Sequence, residues 1–185
     1  MHTKFGRRYL WLDLHALGTR LLRPDQHLVA VNYFTARMRG GGESAARQAE
    51  YIGALRATGV TVVEGRFQEK EQRCFVCNSR WRTHEEKASD VSLSVALVED
   101  AANDLFDTAL LLTADSDMSP AVRAARRLRA AARVIAVFPP GRTSGDIRRS
   151  VHATIQLGAT PLRQCQLPDT VAGRDRDYQR PPHWK

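Results

Sequence analysis

The sequence predicts an α/β fold: a parallel sheet with helices on both faces. Two observations carry this. Short β-rich runs alternate with segments of helical period along the chain, the pattern of βαβ units. One of those runs, Thr108 to Thr113 (TALLLT), is apolar throughout rather than alternating, as a central strand covered on both faces must be. In order, Leu10 to Leu22 (LWLDLHALGTRLL) has apolar residues at three-to-four spacing and reads as a helix ended by Arg23-Pro24. Leu28 to Phe34 reads as the first strand, and Gly40-Gly41-Gly42 as a break. Ser44 to Thr58 is an alanine-rich helix stopped by Gly59, and Val60 to Phe67 a second strand.

Gln68 to His84 is polar and aperiodic and reads as an inserted loop. Glu85 to Asn103 is a long helix with Val91, Val95, Val98 and Ala102 as its expected buried stripe. After TALLLT comes an Ala/Arg helix, Pro120 to Ala132, with Ser119 as expected N-cap. Val134 to Phe138 is the next strand, closed by Pro139-Pro140-Gly141. A short helix over Ser144 to Val151 and a weak strand near Ala153 to Leu157 follow. The expected organisation is one domain over 1–160, with the Cys loop 68–84 inserted, and an extended C-terminal arm over 161–185.

The 185 residues and 43% hydrophobic content suffice for a continuous core and exclude wholesale disorder. No apolar run approaches the roughly 18–20 residues that span a bilayer, and the start (MHTKFGRRYLWLDL) has no uninterrupted apolar stretch of a secretory signal. The expectation is a soluble, cytoplasmic protein with no membrane partner. Three cysteines are too few for a disulfide scaffold and fit reduced thiols or a metal knuckle. The net charge of +8 suits a polyanionic partner such as RNA. Its distribution is sharper: Glu85 to Asp117 holds nine acids and one base, Met118 to Ser150 eight arginines and one acid. That order suits a cation site beside a phosphate-attracting surface, or two solvated helix faces of opposite sign.

Ligands of an open parallel sheet collect beyond the carboxyl ends of its strands. TALLLT-ADSD puts Asp115 and Asp117 at such an end, where paired carboxylates can hold a hard cation such as Mg²⁺; capping of the next helix is the plainer alternative. Asp90 lies one turn into the preceding helix, where the backbone N–H groups favour negative charge. Lys87, three residues earlier, pairs with it or reaches a phosphate. On the following helix Arg123, Arg126 and Arg127 share a face suited to phosphate contacts, and Arg142 and Ser144 follow the next strand's carboxyl end. Trp11, Trp81 and Trp184 are too scattered for a base-stacking platform. Cys74-Phe75-Val76-Cys77 has the spacing of half a Zn²⁺ site, with His84 near and Cys165 distant as further ligands, or is a turn carrying two reduced thiols.

The order E-E-K-x-x-D-V, a helix, an apolar strand, A-D-S-D, an Arg-rich helix and VIAVFPP resembles the NYN domain family (LabA-like proteins) of the PIN-like nuclease group. The resemblance runs from RRYLWLDL to QLPD, and the pairing of EEK-x-x-DV with T-A-D-S-D is its specific part. It implies a PIN-like sheet and a metal-dependent ribonuclease, with Asp90, Asp115 and Asp117 at the family's acidic positions, holding Mg²⁺ or Mn²⁺. Family members open with a hydrophobic strand ending in an Asp-Gly-x-Asn type motif. This chain starts at Met1-His2-Thr3-Lys4, after the place of that motif, and Asp13, inside the helix read over Leu10 to Leu22, is no substitute, so the first central strand is expected to be missing. A sheet with that gap is a surface for homodimerisation. The competing readings are a non-catalytic RNA- or protein-binding module and an inactive truncated fragment.

Overall fold

The computed structural model describes residues 8–38 and 42–184; the side chains of 66–71 and 81–87 lie outside that description, as do Gly40 and Gly41 of the expected glycine break. The fold is mixed α/β with parallel strands, and the strands form two three-stranded sheets rather than one. In the first, β1 (Asn32–Arg37) pairs parallel with β2 (Thr61–Arg73), joined by helix α1's successor α2 (Glu43–Ala57); α1 itself is Leu14–Leu21. β2 then turns back into β3 (Arg80–Lys87). In the second sheet β4 (Thr108–Leu111), β5 (Arg133–Phe138) and β6 (Ala153–Gln156) are all parallel. Their crossovers are α4 (Ser119–Leu128) and α5 (Gly145–Ser150), and α3 (Ser89–Ala102) leads from β3 into β4. β5 lies between its neighbours and buries Val134, Ala136, Val137 and Phe138, which is why VIAVF is apolar on both faces.

Several elements depart from the sequence reading. The expected loop 68–84 is the pair of β2 and β3 arms, held in register from Arg66↔Lys87 to Arg73↔Arg80. The sequence there carries no apolar alternation, so no periodic signal marks the strands that the backbone ladder defines. The first helix starts at Leu14 rather than Leu10. Asp13 is its N-cap, with the carboxylate accepting from the Ala16 N–H at 2.8 Å. Ahead of it the chain is not helical: Leu12 bridges Gln166, the Asp13 N–H donates to Cys165 O, and the Leu167 N–H donates to Trp11 O. Asp13 thus caps the helix from outside and is not inside it. The first strand lies at Asn32–Arg37, later than Leu28 to Phe34, leaving Val29 exposed.

The stripe of α3 is out of phase with the expectation. Val91 and Val95 are 65% and 48% exposed, while Leu97 and Ala101 are buried, with Leu93 and Val98 packed beside them. The opposing surface of Met118, Val122 and Ala125 selects that face. Ser119 is not a cap either: it is the first residue of α4, buried, and its hydroxyl has no hydrogen-bond partner among the described residues. Pro120 follows in the first turn, where its missing N–H costs nothing.

The C-terminal arm is tied down. α6 (Ala159–Gln164) crosses the expected 160/161 boundary, and β7 (Thr170–Val171) pairs antiparallel with β8 (Tyr178–Gln179). Trp11 and Trp184, remote in sequence, meet around Tyr51, with ring centroids 5.8 and 5.9 Å from the tyrosine. The Tyr51 hydroxyl donates to Leu12 O, and burial pushes its pKa well up. Gly53 is required here because a Cβ would overlap the Tyr178 ring. Gly53→Ala is expected to destabilise by about 1–3 kcal/mol, the usual cost of overpacking. Thermal unfolding measures the loss, and faster proteolysis in the arm locates it.

Candidate functional site

β4 and β5 are parallel neighbours, so the loops leaving their carboxyl ends lie side by side. The first runs from Leu112 into a 3-10 turn, Ser116–Met118; the second passes through Pro139 and a left-handed Gly141 (φ 73°) to Arg142. The amino end of α3 closes the third side. Together they bound an open cleft of about 490 Å³, with Asp90, Thr113, Asp115, Ser116, Pro139 and Arg142 on its wall.

Each side chain arrives there for a local reason. Asp90 sits in the first turn of α3, where the exposed N–H groups favour a carboxylate. The residue before the helix, Ala88, is left-handed (φ 75°), a conformation costly for a residue with a Cβ. Asp115 caps the 3-10 turn: its Oδ1 accepts from the Asp117 N–H at 3.0 Å, and its own N–H donates to Thr113 Oγ1 at 3.1 Å. Thr113 was not singled out in the sequence, although its place at the end of the apolar strand is the signal that could have marked it.

Of the three expected carboxylates, the structure brings Asp90 and Asp115 to one cleft. Asp117 is exposed on the 3-10 turn and does not line it; its backbone, not its carboxylate, meets Asp115. Arg142 is on the cleft wall. Ser144 instead caps α5, accepting from the Ile147 N–H at 3.3 Å. Arg123 and Arg126 donate to the hydroxyl and carbonyl of Ser150, at the carboxyl end of α5, where a cation also complements the helix dipole. Arg127 is exposed on α4. The Lys87 side chain lies outside the described residues.

Among the described residues no group of three His, Cys, Asp or Glu side chains converges to hold a metal ion. Two carboxylates on a polar wall do fit Mg²⁺ or Mn²⁺ of the kind that keeps waters and takes further oxygens from a substrate phosphate.

Cys74 and Cys77 lie at the tip of the β2–β3 hairpin, at the other end of β3 from Asp90. Hydrogen bonds from Ser79 and then from the Cys74 thiol pull the Cys77 pKa down to about 7. Cys165 is buried in the core beside Leu12 and Leu162, and burial raises its pKa. Its burial there removes it from the set of ligands for the hairpin tip. The His84 side chain lies outside the described residues.

The NYN domain family model matches residues 4–158. The chain is 26% identical to a 6-hydroxy-3-succinoylpyridine 3-monooxygenase of Pseudomonas putida, over 91% of this chain and 67% of that protein. In fold it is similar to the crystal structure of a protein of unknown function from Vibrio parahaemolyticus, with a TM-score of 0.51, 18% identity, and coverage of 80% of this chain and 79% of that one. No helix among the described residues is long and apolar enough to cross a membrane.

Proposed function

We propose that this chain, which belongs to the NYN domain family, is a metal-dependent ribonuclease. The observation that carries the reading is the meeting of Asp90 and Asp115, from separate elements, on one cleft with Arg142 beside them. Asp90 and Asp115 would hold Mg²⁺ or Mn²⁺. The ion, when bound, neutralises charge on the scissile phosphate and lowers the pKa of an attacking water. The chain's own groups then have defined tasks. The Arg142 guanidinium can engage a phosphate oxygen pair and fix the backbone of the RNA. Thr113 fixes the Asp115 backbone through its hydroxyl and so aims that carboxylate. Arg127, exposed on the following helix, adds sequence-independent attraction for neighbouring phosphates.

The test is cleavage of a labelled RNA by metal-free protein with added Mg²⁺ or Mn²⁺, against the same reaction in chelator. Metal-dependent turnover supports the reading. RNA bound equally well in chelator and never cleaved would replace it with a non-catalytic binding module. A second reading follows from the relative whose match covers 91% of this chain: oxygenation of a hydroxylated pyridine. Supplying 6-hydroxy-3-succinoylpyridine with dioxygen and a reductant, and looking for hydroxylated product, decides that one separately.

A further inference from the structure

We propose that Cys74 and Cys77 are half of a tetrahedral zinc site, completed by the same pair from a second copy of this chain. The hairpin tip is built to hold two sulfurs together. The Cys74 N–H donates to Ser79 O at 2.8 Å and the Asn78 N–H to Cys74 O at 2.9 Å, while Asn78 takes a left-handed conformation (φ 55°). This folds residues 74–79 into a knuckle that carries both thiols, with Cys77 Sγ 3.0 Å from Ser79 Oγ. Structural zinc takes four ligands in a closed shell, and thiolates in a C-x₂-C knuckle are a common half of it.

Among the described residues the same chain offers no other half. Cys165 is buried in a different core. His84 pairs with Glu69, four residues down β3 from Arg80. At the strand rise that is roughly 13 Å along the ladder from the tip's base. Among the described residues of one chain no third ligand joins the pair.

Two further features of the tip suit a second copy. Phe75 and Val76, between the cysteines, are 100% and 96% exposed, an apolar pair at the end of a long two-stranded ribbon. A two-fold arrangement of tips would bury both against their equivalents, because such an interface is made of one patch facing itself. A zinc ion with four thiolates carries a net charge of −2. Arg73 and Arg80 form the last ladder pair under each tip, so two copies would bring four arginines to the neighbourhood of that charge. The proposal is independent of the cleft: neither its residues nor its readouts involve RNA.

The experiment uses the full chain, prepared metal-free under reducing conditions and titrated with Zn²⁺. Native mass spectrometry and light scattering after size exclusion are expected to give one zinc per two chains and a dimer that dissociates in chelator. Co²⁺ in its place is expected to give the absorption of a tetrahedral tetrathiolate. Cys74→Ser and Cys77→Ser are each expected to abolish the zinc-dependent dimer, and circular dichroism of these variants checks that the fold is kept. Phe75→Ser is expected to weaken the dimer with the zinc ligands intact. One zinc per monomeric chain, no zinc bound, or a dimer indifferent to zinc and to both cysteine substitutions would each overturn it.

Discussion

Asp115→Asn is expected to lower Mg²⁺-dependent RNA cleavage at least about 100-fold, equivalent to roughly 3 kcal/mol of transition-state stabilisation. The substitution is close to a pure charge deletion. Asparagine keeps an oxygen that can accept from the Asp117 N–H, so the 3-10 turn at Ser116–Met118 and the start of α4 stay in place. What is lost is one of the two negative charges facing the cleft, and with it most of the attraction for a divalent cation. Asp90→Asn is expected to fall by a similar factor, and the double variant by little more than either, because two ligands of one ion act as a unit. Asp117→Asn is the informative control. Its carboxylate stands off the cleft wall, so a change within about threefold is expected, in line with the small effects of exposed charges away from a partner. Arg142→Ala should raise KM more than it lowers kcat, since it removes a hold on the substrate backbone. Equal cleavage by the wild type and Asp115→Asn would end the nuclease reading; a 100-fold loss in Asp117→Asn with none in Asp90→Asn would move the site.

The contrast between Asp115 and Asp117 also marks how far the sequence could be read. The apolar run TALLLT places a strand, and a strand of a parallel sheet places its carboxyl end near a crevice, so Asp115 and Arg142 were accessible from pattern alone. Which way the second aspartate turns is set by the backbone of a three-residue 3-10 segment, which no spacing rule encodes. The same limit appears in α3. Two apolar stripes coexist on that helix, Val91/Val95 and Leu93/Leu97/Ala101, and the choice between them is made by Met118 and Val122 across the contact. In the first helix the apolar period continues backward through Trp11 and Leu10, masking the Asp13 cap. The hairpin of β2 and β3 was illegible for the opposite reason: its sequence is mostly charged and polar and has no apolar period to find. The Arg123 and Arg126 side chains were counted correctly as charge, but their partner, Ser150, is more than twenty residues on.

Trp11→Ala is expected to cost about 3–5 kcal/mol, enough to threaten folding of a domain of ordinary stability. Trp11 is fully buried and packs against Tyr51 and Trp184. Its indole N–H also donates to Pro168 O at 2.7 Å. Truncation therefore opens a cavity between the N-terminal run and the C-terminal arm, and leaves the Pro168 carbonyl without that donor. Two further substitutions separate the contributions. Trp11→Phe keeps much of the packing and loses the hydrogen bond together with part of the ring, and is expected to cost about 1–2 kcal/mol. Trp184→Ala removes the ring that covers Trp11 from the arm side and should loosen the arm first, read as proteolytic nicking among Arg174, Arg176 and Arg180 before global unfolding. The carboxylates of the cleft lie on α3 and the β4 loop, outside this aromatic cluster. At temperatures where the protein stays folded, Trp184→Ala should therefore retain the metal-dependent cleavage of the wild type. A loss of cleavage without any change in the unfolding midpoint would show that the arm, and not only the cleft, touches the substrate.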